Sequence, residues 1–152
     1  MFAQMKELSG RILGIDYGRR RIGVAISDPM GTIATGLPTI AYQSLPDAIT
    51  RLENIILEYH VGAVVVGFPL TLKGEEGRAA FATKAFVEIL QSKVAVPVDV
   101  WDERFTSVIA RRCLHEMGKS PDRNKARVDE LSAVVLLQSY LDRRDVSIRE
   151  SD

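Results

Sequence analysis

Gly62-Ala63-Val64-Val65-Val66-Gly67 is the segment that most narrows what this chain can fold into. It is apolar throughout and rich in β-branched residues, with no polar alternation, so neither of its faces is meant for water. A strand of that kind belongs inside a parallel sheet, with helices over both sides. The flanking segments supply them. Leu45, Ala48, Ile49, Leu52, Ile55, Ile56 and Tyr59 recur at helical spacing behind Ser44 as N-cap, with Asp47 in the first turn. A second helix is expected over Glu75 to Ser92, with Ala79, Phe81, Ala82, Ala85, Phe86, Ile89 and Leu90 as its apolar face, followed by a strand from Val96 to Trp101.

Upstream, residues 11 to 17 and 21 to 27 read as a hairpin around Gly18. Thr32 to Ala41 reads as a third strand, at an edge or bulged because it contains Pro38. Downstream, Thr106 to Met117 is expected as a helix closed by Gly118, with Cys113 and Met117 in the core, and Lys125 to Asp142 as the last long helix. Residues after Arg143 read as a polar, frayed tail. The expected fold class is therefore α/β, a five-stranded mixed sheet made of a three-strand meander plus parallel strands, with helices on both faces. The ribonuclease H-like fold has this element order. With 152 residues, 46% of them hydrophobic, the expectation is one domain over 1–152 with an ordered core at about 10–143.

Bulk properties remove several classes of function. Cys113 is the single cysteine and His60 and His115 the two histidines, so neither an internal disulfide nor a zinc site of usual ligand spacing can be written. No apolar stretch is long enough to span a bilayer and no signal-type core begins the chain, so a cytoplasmic protein without a membrane partner is expected. Formal net charge is zero, so any polyanion binding must come from local patches. The arginines are clustered, at Arg19-Arg20-Arg21, Arg111-Arg112 and Arg143-Arg144.

Three acids stand in apolar settings beside those clusters. Asp16 ends the first strand, Glu103 follows the strand that ends near Trp101, and Asp129 lies one turn into a helix whose next residues are apolar nearly all round. Carboxyl ends of central strands are where α/β sheets build sites. Phosphodiester cleavage needs an activated water and a stabilised leaving oxygen, and Mg²⁺ or Mn²⁺ held by two or three carboxylates supplies both. Each acid also has a plain alternative, as hairpin turn residue for Asp16 and first-turn carboxylate for Glu103. Asp102 and Glu130 compete for the same roles as their neighbours. Arg104, Thr106 and Ser107 stand at a helix start that attracts phosphate, and Lys125 precedes Asp129 by one turn, where it either pairs with it or holds a phosphate.

Gly14-Ile-Asp-Tyr-Gly18, Arg21-Ile-Gly-Val-Ala25, Ser27-Asp28, Val66-Gly-Phe-Pro69 with Gly74, Asp102-Glu-Arg104 with Thr106, and Lys125 with Asp129 before Gln138-Ser-Tyr-Leu141 together resemble the signature blocks of the YqgF family. The likeness runs from about Arg11 to Leu141 in order and spacing, departing at Phe68 and at Phe105-Thr106-Ser107. It implies a ribonuclease H-like nuclease, a hydrolase of ester bonds, acting on the 5′ end of pre-16S ribosomal RNA or on Holliday junctions. It also implies that Asp16, Glu103 and Asp129 bind one or two Mg²⁺ or Mn²⁺ ions and are catalytic. Arg19, Arg20, Arg104, Thr106 and Lys125 are the expected substrate contacts. The expected partner is nucleic acid, pre-rRNA ahead of branched DNA, and the protein a monomer or homodimer. Two other classes compete. An actin-like ATPase or sugar kinase needs two Asp-x-Gly lobes, and Asp16-Tyr17-Gly18 is the only such motif. A silent nucleic-acid-binding module is separated from an enzyme by metal dependence.

Overall fold

The computed structural model describes residues 10–70, 73–103, 106–118 and 125–151. Three strands come first, β1 (Arg11–Tyr17), β2 (Arg21–Ser27) and β3 (Ala34–Ala41). They are followed by α1 (Leu45–Glu58), β4 (Val61–Phe68), α2 (Arg78–Lys93), β5 (Val98–Asp102), α3 (Thr106–Glu116) and α4 (Lys125–Ser151). The sheet order is β3-β2-β1-β4-β5. The β1–β2 and β2–β3 pairs are antiparallel, and β1–β4 and β4–β5 are parallel. This is the expected mixed sheet, with the valine strand between two parallel neighbours.

Alternation along the strands builds two cores. Leu13, Ile15, Val24, Val64 and Val66 point to one face and pack with Leu52 of α1 and Phe86 and Leu90 of α2. Ile12, Ala25, Ala63 and Val65 point to the other and pack with Ala133, Leu137, Tyr140 and Leu141 of α4. β4 therefore contributes to both cores, which is why it carries no polar residue. Each large side chain fully enclosed this way contributes about 1.5–3 kcal/mol. Tyr17 extends the first core by stacking on Phe86, ring centroids 4.2 Å apart. Trp101 meets Tyr140 edge-on at 5.5 Å on the second face.

Element ends follow from where backbone groups find partners. β3 starts at Ala34, not Thr32, because the Asp28 carboxylate accepts from the N–H groups of Thr32 and Ile33. It is the edge strand, and its pairing with β2 shifts register between Ile22 and Val24, opposite Pro38. β5 starts at Val98, after Pro97, which has no N–H to give but accepts from Val64 N at 2.8 Å. At α1, Ser44 is the N-cap as expected, its side chain accepting from Asp47 N.

Three expectations are corrected. α2 begins at Arg78 behind Gly77 as N-cap and buries Ala80, Thr83, Phe86, Val87 and Leu90. Phe81 is 66% exposed, so the inward stripe is rotated from the one that the apolar residues alone suggest. Thr83 joins it because its hydroxyl donates to Ala79 O at 2.9 Å and needs no water. Met117 is exposed and Cys113 half-buried, so that end of α3 is not core. The chain after Arg143 is helical to Ser151, since no glycine or proline interrupts residues 125–151. Arg144 is enclosed where α4 passes the β2–β3 loop, and it donates to Gly31 O at 3.2 Å.

Candidate active site

The parallel strands bring two of the acids together. Ile15 of β1 is level with Val66 of β4, and Phe68 is level with Asp102 of β5, so all three strands end at one edge. Glu103, the first residue past β5, is tied to that edge by its N–H, which donates to Phe68 O at 3.2 Å. Its side chain turns back over β4. A Cβ on Gly67 would lie 2.2 Å from Glu103 Oε2 and 3.0 Å from Leu136 Cδ2, so the carboxyl group occupies space that any other residue would fill. There it donates a hydrogen bond to the carboxylate of Asp16.

Two carboxyl groups in contact and out of water do not both ionise readily. Burial, then the charge and hydrogen bond of Asp16, then the charge of Asp102, push Glu103 from 4.5 up to about 9. Asp16 is also raised, chiefly by burial, against the lowering effect of the Glu103 hydrogen bond and with a further push from the charge of Asp129. In the absence of any cation the pair holds a proton between them.

Asp129 arrives from the opposite layer. Gly23 of β2 is the register partner of Asp16, and a Cβ there would stand 2.2 Å from the Asp129 carbonyl oxygen. The bare glycine lets the backbone of α4 rest on the sheet beside Asp16. Burial raises Asp129 and the Arg21 guanidinium lowers it. The two form an ion pair, Arg21 Nε to Asp129 Oδ2, at 3.0 Å. Glu130, the neighbouring competitor, lies over β3, where a Cβ on Gly36 would be 2.7 Å from its Cγ and Oε1. Asp102 is exposed. Among the described residues, no three His, Cys, Asp or Glu side chains are grouped closely enough to hold a metal ion. The geometry is thus a contacting pair, Asp16 and Glu103, with Asp129 near enough to be felt and engaged by an arginine.

Arg19, Arg20, Arg21, Tyr42 and Asp129 line an open cleft of about 1030 Å³ beside this pair. Tyr42 fixes the turn that carries the arginines, since its hydroxyl donates to Gly18 O and its N–H to Arg20 O. Arg19 and Arg20 are exposed there. Arg104 lies outside the described residues, and Thr106 and Lys125 lie on described helices with their side chains outside the description. Sequence reasoning did not single out Arg21 from its neighbours, nor Gly23 and Gly67 as seats for acids. Strand alternation was the available signal, since Arg21 and Gly23 share one face of β2.

The sequence pattern of the RuvX family, described as Holliday junction resolvase, matches residues 10–143. A protein of Ruminiclostridium cellulolyticum is 46% identical over 134 residues, 88% of this chain and 94% of its own. One of Koribacter versatilis is 42% identical over 149 residues, 96% of this chain and 97% of its own. Both are named "Putative pre-16S rRNA nuclease". Among solved structures, Thermus thermophilus RuvC in complex with a Holliday junction substrate superposes with a TM-score of 0.58 at 13% identity, covering 90% of this chain and 97% of that one. The large terminase nuclease of phage G20c gives 0.54 at 13% identity, covering 86% and 82%. These structures share the fold, a ribonuclease H-like α/β sheet.

Proposed function

Because this chain belongs to the RuvX family, we propose that it is a divalent-metal-dependent nuclease that hydrolyses phosphodiester bonds in maturing the 5′ end of pre-16S ribosomal RNA. Asp16, Glu103 and Asp129 are its acids, and the cytoplasm is its place of action. The observation that carries this reading is the Asp16–Glu103 pair, two carboxyl groups forced together at the carboxyl edge of the sheet at the expense of their ionisation. Such a pair has little use in stabilising a fold, where it is a liability. It suits a hard dication, for which carboxylate oxygens are the preferred ligands. The donor set fits, with Asp16 and Glu103 as the holding pair and Asp129 within reach as the third. A Mg²⁺ or Mn²⁺ ion bound there would polarise a phosphoryl oxygen and acidify an attacking water.

The chain's own residues do the rest. Asp16 and Glu103 would hold such a cation as carboxylates, their shared proton released to solvent, and would fix where the reacting phosphate must come. Gly67 keeps the Glu103 carboxyl seated. Arg19 and Arg20 hold flanking phosphates along the cleft and orient the strand across the pair. Asp16→Asn removes a holding oxygen and the charge that opposes ionisation of Glu103, so Mn²⁺-dependent cleavage of a pre-16S leader RNA is abolished while the metal-free melting temperature is equal or higher. A variant that cuts normally, or that melts far lower, overturns the assignment.

The family description favours a second reading, resolution of four-way DNA junctions. It predicts a two-fold dimer that nicks both strands. Cleavage of a synthetic junction with the leader RNA left intact would establish it over the first.

A further inference from the structure

Resting on the reading above, we propose that Arg21 is a positioning residue. It retains Asp129 in the substrate-free protein and releases it to the Asp16–Glu103 pair when a substrate phosphate takes over the guanidinium. Three observations meet here. Asp129 is near enough for its charge to act on Asp16, yet its Oδ2 is held at 3.0 Å by Arg21 Nε, and no three acids among the described residues are grouped to bind a metal. The Arg21 and Asp129 side chains are 39% and 29% exposed and line the same open cleft as Arg19 and Arg20, so a polyanion entering that cleft has direct access to the guanidinium. The backbone under Asp129 is already seated on Gly23, so the transfer needs side-chain rotation alone.

The chemistry of exchange favours this order. A guanidinium binds carboxylate and phosphate in the same planar, bidentate manner, so a phosphodiester is a direct competitor for Arg21. While Arg21 sits on Asp129, its positive charge opposes a dication at the same oxygens. Once it has turned to phosphate, the Asp129 carboxylate is no longer neutralised by the guanidinium and is free to face the other two acids. Cation and substrate therefore assist each other's binding, and by linkage the assistance is equal in both directions. The free protein holds its cation weakly and cuts little in the absence of the right strand.

The test measures Mn²⁺ binding by titration calorimetry, which is independent of cleavage. Arg21→Gln binds Mn²⁺ at least about fivefold more tightly than the wild type in the absence of nucleic acid, a coupling at the low end of the usual range. A 2′-O-methyl RNA oligonucleotide tightens Mn²⁺ binding by the wild type by a similar factor and leaves that of Arg21→Gln unchanged. Arg21→Lys, which keeps the charge but not the planar fork, falls between the wild type and Arg21→Gln. The gain in Arg21→Gln disappears when Asp129→Asn is added. Equal or weaker Mn²⁺ binding by Arg21→Gln, with its melting temperature retained, overturns the proposal and leaves the nuclease reading intact. Absence of any Mn²⁺ binding by the wild type overturns both.

Discussion

The sharpest consequence of the paired acids concerns stability without metal. Glu103 keeps its proton in the folded protein up to about pH 9, while in the unfolded chain it loses it near 4.5. Between those values the unfolded state binds fewer protons, so stability is fully present below 4.5 and drains away as pH rises toward 9. One proton of difference changes stability by about 1.4 kcal/mol per pH unit, so from about pH 6 to pH 8 the pair costs about 3 kcal/mol. For a chain of this length that is a fall of roughly 6–12 °C in melting temperature. Glu103→Gln keeps a donor to Asp16 and removes the titration. In EDTA, thermal unfolding of the wild type and of Glu103→Gln across this range shows their difference widening in favour of the variant with each step in pH. The slope belongs to the pair, since the two groups titrate together. A difference that stays constant with pH refutes the contact between the two carboxyl groups.

Three further outcomes follow from the same geometry. Gly67→Ala places a methyl group 2.2 Å from Glu103 Oε2, so the carboxyl group is displaced and cleavage falls by about 10²-fold, as expected for a misplacement near 1 Å, read from initial rates at saturating Mn²⁺. Gly23→Ala meets the Asp129 carbonyl of a packed helix, not a mobile side-chain end, and costs about 1–3 kcal/mol in urea unfolding. Replacing Arg19 and Arg20 with Gln reduces the slope of log affinity for single-stranded RNA against log salt by about 0.7 per lost phosphate contact, and an unchanged slope removes them from the substrate path.

The sheet was legible because its signals are local and redundant. A valine run, strand alternation and Pro/Gly punctuation each point to the same element, as at β4 and at the β1–β2 hairpin. The rotation of α2 was not, because Thr83 counts as polar in any pattern, and only its bond to Ala79 O shows that it tolerates burial. The choice between Asp129 and Glu130 was equally closed to the sequence. Neighbours on a helix differ by about 100° in direction, and which one faces Asp16 depends on how α4 lies across Gly23 and Gly36. The arginine cluster beside Asp16 was visible as charge, but that Arg21 reaches Asp129 is a contact across more than a hundred residues of chain.

Arg144 sits fifteen residues beyond Asp129 on the same uninterrupted rod, about 22 Å along its axis. Its hydrogen bond to Gly31 O ties that part of the rod to the β2–β3 loop. The helix that carries Asp129 is thus fixed twice, at its near end by the glycine seat and at its far margin by this guanidinium.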